Sequence, residues 1–103
     1  MFSNWFTMNV HIRRVVIDSL KARETSLLDL SKALASVEGV EEVDMNVTEV
    51  DVRTETVRIT IRGPSIDYDG LSRVMNEHGA TVRSVDEINV VKLKIRPKSE
   101  QHV

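Results

Sequence analysis

The sequence contains no cysteine, and its 103 residues include only four glycines. Without a thiol the chain can form no disulfide, no thiolate-bound zinc or iron–sulfur site and no cysteine nucleophile. This composition is compatible with a reducing cytoplasm, where we expect the protein to be located. The four glycines all fall at turn, cap or helix positions, so the sequence has no glycine-rich loop for binding phosphate.

The chain also lacks an excess of positive charge and a long apolar segment. Its formal net charge is −2, so no basic surface favours nucleic-acid phosphates. No apolar run approaches the roughly 18 residues that cross a bilayer. The aromatic-containing N-terminus has no basic n-region of the kind that begins a signal peptide. We therefore expect neither nucleic acid nor a membrane as a partner.

The residues that are present predict one globular domain. Hydrophobic residues make up 41% of the chain and charged residues 29%, a mix typical of a folded protein with one core. We assign residues 10–96 to this domain. Residues 1–9 form an N-terminal extension that we expect to be flexible, and residues 97–103 form a C-terminal tail.

Two hydrophobic periodicities divide the domain into strands and helices. Alternating residues predict a first strand over 10–20, a hairpin over 43–62 and a last strand over 81–96. Helical spacing of leucine, valine and methionine predicts one helix after Ser26 or Thr25 and another after Ser65 or Asp67. Further expectations are left-handed glycines just after both helices, at Gly39 and Gly79, and a bulge near Arg83-Ser84.

An internal repeat predicts how these elements are arranged. The stretch "LSKAL" at 30–34 matches "LSRVM" at 71–75, and each is followed by a glycine and a strand. Two β-α-β units joined by a hairpin form a ferredoxin-like βαββαβ sandwich. We therefore predict an α+β fold in which two helices cover one face of a four-stranded antiparallel sheet of order 4-1-3-2.

Four blocks of the sequence resemble a known family. They are "IRRVVIDSLK", "LSKALASVEGVEEV", the "TEVD…TETVRITIRG" hairpin and "SVDEI", in that order. Together they cover about residues 10–90 and are similar to domain-of-unknown-function family two hundred and eleven, a small and mainly archaeal family. The resemblance implies a ferredoxin-like fold and oligomer formation, and it implies no activity.

Asp18 is the charge that most needs an explanation, because it interrupts the apolar run "VVIDSL". Strand alternation places it on the face of the sheet without helices. There it would pair with Arg58 or lie in water on an open face, contact another subunit, or help to bind a hard cation. The cation alternative is Ca²⁺ or Mg²⁺, bound by carboxylates that we expect to gather at one edge of the sheet. The candidate ligands are Asp18, Glu49, Asp51, Glu55, Asp86 and Glu87.

Apolar residues on the same face, together with the extended last strand, indicate a surface for self-association. The candidate interface residues are Val16, Asp18, Val50, Arg58, Lys92, Leu93 and Ile95. No catalytic grouping is evident, so we predict a non-enzymatic homo-oligomer. One alternative is a regulatory module that binds an amino-acid-like ligand at a subunit interface near Lys21–Thr25. The other is a protein that binds a divalent cation.

Overall fold

The computed structural model describes residues 9–93 and confirms the predicted order of elements. The strands and helices are β1 (Val10–Ala22), α1 (Leu27–Ala35), β2 (Glu42–Val50), β3 (Thr54–Arg62), α2 (Tyr68–Glu77) and β4 (Ala80–Lys92). Most of the assigned extension 1–9, the end of the assigned domain at 94–96 and the tail 97–103 lie outside the described residues. Asn9, the last residue of that extension, is buried, and its carbonyl accepts a hydrogen bond from Leu93 N.

The four strands form one antiparallel sheet of order β2-β3-β1-β4, which is the predicted order counted from the other edge. β1 and β3 therefore lie inside the sheet, while β2 and β4 form its two edges. β1 and β4 each have 13 residues, whereas β2 and β3 each have nine. The fold is α+β and ferredoxin-like.

Both helices pack on a single face of this sheet. One buried cluster combines side chains of the two inner strands with side chains of both helices. Its fully buried members include Val15, Ile17, Leu30, Leu34, Val57, Ile59, Ile61, Leu71 and Met75. The strand residues alternate in sequence and pair in register, so they share one face. Each of these large aliphatic side chains contributes about 1.5–3 kcal/mol to stability on burial.

The helices begin at predicted caps. Ser26 Oγ accepts a hydrogen bond from Asp29 N, and Asp67 Oδ1 accepts one from Gly70 N. α2 is followed by Gly79 with a φ of 73°, which confirms the predicted left-handed residue. Gly39 is also left-handed, as predicted, with a φ of 84°, but it does not directly follow the helix, since α1 ends at Ala35 and is capped by Ser36.

Gly39 instead belongs to a crossing of two loops. A Cβ atom on Gly39 would lie 1.7 Å from the Ser65 carbonyl oxygen, and one on Gly63 would lie 1.8 Å from the Gly39 carbonyl oxygen. Backbone therefore packs directly on backbone, which only glycine permits. The crossing places residues 63–66 beside β1, where Gly63 N and Ile66 N donate to the carbonyls of Arg13 and Ile12.

β4 contains the predicted bulge and a second one. Its pairing with β1 skips Arg83 between Val82 and Ser84, and it skips Asp86 between Val85 and Glu87. At each bulge one residue of β4 has no partner on β1, so the residues after it face the side opposite to the one that strict alternation predicts. As a result Val82, Val85 and Ile88 all lie on the side of the sheet that carries the helices.

We expect Gly39→Ala to lower the free energy of unfolding by roughly 3 kcal/mol or more. Its backbone has a φ of 84°, and the new methyl group would also meet the Ser65 carbonyl. Gly79→Ala is the matched control, because its φ of 73° is similar but its nearest neighbour is the Thr25 hydroxyl at 2.9 Å. It should cost only about 1 kcal/mol. Urea denaturation measures both, and equal losses would contradict the role of the loop crossing.

Candidate functional site

The face of the sheet without helices is covered by a network of charged side chains. Glu87 accepts hydrogen bonds from Arg14 Nη1 at 2.6 Å and from Arg58 Nη2 at 3.2 Å. The hydrogen bond and positive charge of Arg14, with a smaller contribution from Arg58, lower the pKa of the Glu87 carboxyl. Arg62 lies 3.4 Å from Glu42 and 3.0 Å from Asp44. The charges of this face therefore largely neutralise one another within the chain.

Asp18 lies on this face, as predicted, opposite Arg58 on β3 and Ser84 on β4. The predicted pair with Arg58 is wrong. Asp18 Oδ2 is 3.6 Å from Arg83 Nε, because the bulge brings Arg83 next to Asp18, whereas Arg58 binds Glu87. The Arg83 side chain is half-exposed, and pairs of this kind contribute about 1 kcal/mol or less. The charge in "VVIDSL" thus forms a solvated ion pair across the sheet.

The six carboxylates predicted as cation ligands are separated in space. Glu55 binds the Lys21 ammonium on the helix side of the sheet, while Asp18 and Glu87 bind arginines on the opposite face. Asp86 Oδ1 accepts a hydrogen bond from Ser84 Oγ, and Asp51 Oδ1 accepts one from Val52 N. The sixth, Glu49, lies opposite Thr56 on β3.

The predicted gathering of these acids at one edge is therefore wrong. Among residues 9–93 no three histidine or acidic side chains are grouped so that they could hold a metal ion. Bulges in β2 and β4 and pairing with nearby cations distribute the acids over both faces. The Ca²⁺ or Mg²⁺ alternative itself stays a prediction.

Two residues predicted to expose apolar surface on this face do not do so. Val16 is on the face, in register between Thr60 and Glu87, but it is fully buried. Val50 is 59% exposed but lies on the other side. β2 has a bulge at Thr48, so Val50 pairs with Glu55, which shares the helix side with Lys21. The premise of an open aliphatic face is therefore wrong.

The structure also reveals a buried lysine that sequence reasoning missed. Lys21 is 1% exposed, and its Nζ donates to the carbonyls of Ala22 at 2.8 Å and Thr25 at 2.7 Å. The same atom lies 2.8 Å from Glu55 Oε1. Three acceptors match the three protons of an ammonium group, so its charge is fully satisfied. The alternation of β1 could have revealed it. Lys21 continues the series of alternate residues that β1 buries, one residue beyond the predicted end of the strand at residue 20.

This lysine closes the loop between β1 and α1, where the alternative of an amino-acid-like ligand would place its site. Thr25 Oγ1 donates to the His78 carbonyl at 2.8 Å, and Ala22 N donates to the Gly79 carbonyl at 3.0 Å. The loop is thus held by bonds within the chain. The small-ligand alternative stays a prediction.

The uncovered apolar surface lies instead on the helix side of β4. Val85, Ile88 and Val90 are 41%, 56% and 47% exposed, and we call these three residues the β4 stripe. α2 has ten residues and spans roughly 15 Å, whereas the 13 residues of β4 span roughly 43 Å. The helix is therefore too short to cover the strand. Of the other predicted interface residues, Lys92 and Leu93 adjoin the stripe, and Ile95 lies outside the described residues.

A second apolar surface borders the opposite edge of the sheet. A shallow groove of about 450 Å³ between α1 and β2 is lined by Leu27, Leu28, Ser31, Val43, Asp44 and Met45. We call it the α1–β2 groove. Leu28 is 61% exposed there, although Leu30 and Leu34 of the same helix are fully buried in the core. Both edges of the sheet thus carry apolar surface on the same side.

We expect Lys21→Met to destabilise the protein by about 2–4 kcal/mol, because it leaves Glu55 and two carbonyls without their cation. Lys32→Met on the exposed face of α1 is the control and should change stability by less than about 0.5 kcal/mol. Thermal and urea unfolding of both variants test this. Similar small effects for the two variants would show that the buried ammonium contributes little.

We expect Arg14→Gln to raise the pKa of Glu87 toward its ordinary value of 4.5, since Arg14 is the main cause of the lowered pKa. Because the pKa of Glu87 is lower in the folded state, its interaction with Arg14 stabilises the fold at pH values above the unfolded-state pKa. This stabilisation is lost as the pH falls through the folded-state pKa. Carboxyl NMR titration measures the shift. Arg62→Gln is the control, because Arg62 binds Glu42 and Asp44 instead. An unchanged Glu87 pKa in Arg14→Gln would contradict the assignment.

Comparison with known proteins identifies the family of this chain and leaves the activity open. Neither helix within residues 9–93 has the length and apolar character needed to cross a membrane. The chain is 36% identical over 77 residues to the uncharacterized protein MJ0319 of Methanocaldococcus jannaschii, an alignment that covers 75% of this chain and 79% of that protein. Residues 13–101 match the model of the family DUF211, described as "Uncharacterized ArCR". The chain therefore belongs to the DUF211 family.

Proposed function

We propose that this protein is a non-enzymatic module that assembles with further copies of itself through the free edge of β4. The observation that carries the proposal is the β4 stripe. Three aliphatic side chains that follow one another along the helix side of β4 are 41–56% exposed, and within residues 9–93 this strand has a hydrogen-bonded neighbour on one side only. Contiguous exposed apolar surface of this kind is typical of interaction sites.

The backbone of β4 supports the same conclusion. The outer N–H and C=O groups of an edge strand form a ready template for another strand. β4 offers this template over 13 residues, the full length of the longest strands in the sheet. Its own two bulges lie at Arg83 and Asp86, and every residue from Glu87 to Lys92 pairs with β1, where one residue of β1, Arg13, is skipped. The section of β4 without a bulge of its own thus contains Ile88 and Val90.

The face of the sheet without helices, which we call the polar face, is the less suitable surface for assembly. Its arginines and carboxylates already bind one another, and Val16 beneath them is buried. Burying such ion pairs against a partner costs desolvation without adding new apolar contact. Of the two surfaces that the sequence predicted, the proposal therefore selects the edge strand over the polar face. The ion pairs that occupy these side chains also support a non-enzymatic role.

The proposal predicts that Ile88→Glu disrupts assembly, because a carboxylate in the apolar contact would remain desolvated and unpaired. We expect a fall from the wild-type mass to the monomer mass by light scattering coupled to size-exclusion chromatography. Val52→Glu is the control, because Val52 is 80% exposed at the turn between β2 and β3. It should assemble like the wild-type protein.

Two results would overturn the proposal. One is a wild-type protein that is monomeric at all accessible concentrations, and the other is an Ile88→Glu variant that keeps the wild-type mass. Far-UV circular dichroism shows whether the variant is folded. Val90→Lys repeats the test at a second position of the β4 stripe with the opposite charge.

A further inference from the structure

We propose that β4 pairs with the β2 edge of another copy, so that the β4 stripe enters the α1–β2 groove of its neighbour. This inference rests on the proposed function and adds the identity of the receiving surface. Assembly would then be head-to-tail and would use two different surfaces of the same chain. The two apolar surfaces at opposite edges of the sheet would cover each other.

Strand direction permits this contact. Each pair of neighbours in the order β2-β3-β1-β4 is antiparallel, so the two edge strands run in opposite directions. A neighbour in the same orientation therefore places its β2 antiparallel to β4. The sheet continues with regular alternation of strand direction, and the helices of both copies remain on the same side.

The rows of side chains across the sheet also fit such a neighbour. On the helix side, register aligns Val43, Ile61, Val15 and Ile88 in one row. The next row is Met45, Ile59, Ile17 and Val85. Each row begins at β2 and ends at β4 with an apolar side chain. A second copy at the same level would extend both rows without a polar interruption, and a stagger of two residues preserves this match.

The charges of β2 argue against pairing of two β2 edges. Residues 41–51 contain five carboxylates and no lysine or arginine. Two such strands side by side would oppose like charges, which is destabilising. In the head-to-tail contact the nearest like charges would be Asp44 of one copy and Glu87 of the next, which lie in the same row across the sheet. Each of them already binds an arginine of its own chain, Arg62 and Arg14 respectively.

Pairing of two β4 edges would leave part of the apolar surface unexplained. It would cover the β4 stripes of two copies, but Leu28 in the α1–β2 groove of each copy would remain 61% exposed. Head-to-tail pairing covers both surfaces in every copy that has two neighbours. A contact of this type closes into a ring or continues as a filament, depending on the rotation between copies.

Complementation between two variants tests the direction of the contact. Ile88→Glu damages only the stripe, and Leu28→Glu damages only the groove. Leu28 is exposed in the first turn of α1, where a carboxylate suits the helix dipole, so this variant should fold. We expect each variant alone to be monomeric. Mixed at high concentration, with one variant isotope-labelled, they should form a heterodimer of one copy each, observed by native mass spectrometry.

The other outcomes separate the two proposals. A Leu28→Glu variant that assembles like wild type, beside a monomeric Ile88→Glu variant, overturns the head-to-tail contact and leaves assembly through β4 intact. Monomeric variants that form no heterodimer when mixed also overturn the head-to-tail contact. Wild-type mass for Ile88→Glu overturns both proposals. Circular dichroism of each variant excludes loss of folding as the cause of dissociation.

Discussion

The register of β1 between β3 and β4 is the constraint on which the structure depends. Because alternate side chains of a strand face opposite ways, a slip of one residue would turn Val15 and Ile17 out of the core and bring charged neighbours such as Asp18 into it. The same phase that buries Val15 and Ile17 also buries Lys21. A buried ammonium requires acceptors, and two carbonyls and the Glu55 carboxylate provide them. One choice of register therefore determines both the core and the closure of the loop after β1.

Bulges then redistribute side chains between the two faces. Without the bulge at Arg83, strict alternation along β4 would send Val82 and Val85 to opposite sides of the sheet, and without the bulge at Asp86 it would separate Val85 from Ile88 in the same way. With them, its aliphatic residues collect on the helix side, where α2 is too short to cover all of them. The polar face carries the arginines and the carboxylates that bind them, so its charges largely neutralise one another. Exposed apolar surface is thus concentrated at the edges of the sheet, and for this reason both functional proposals concern the edge strands.

Much of the fold could be predicted from the sequence. Hydrophobic alternation, helical spacing and the repeated block at 30–34 and 71–75 predicted the element order, the sheet order and the side on which the helices pack. Caps at Ser26 and Asp67 and the bulge near Arg83 followed from local chemistry. The candidate site was harder to predict, because ion pairing between strands depends on small offsets. Arg58 faces Asp18 in register, yet the bulge allows Arg83 to take its place.

The sequence by itself determined which segments are strands and helices, because periodicity is a property of neighbouring residues. It also determined the apolar character of β4 and the acidic character of β2. Only the tertiary structure decided that Val16 is buried, that Val50 crosses to the other face and that the six acids do not meet. These outcomes depend on single unpaired residues in the strands and on how far a helix of ten residues reaches along a strand of 13. Both are relations between segments distant in sequence, so local patterns carry little information about them.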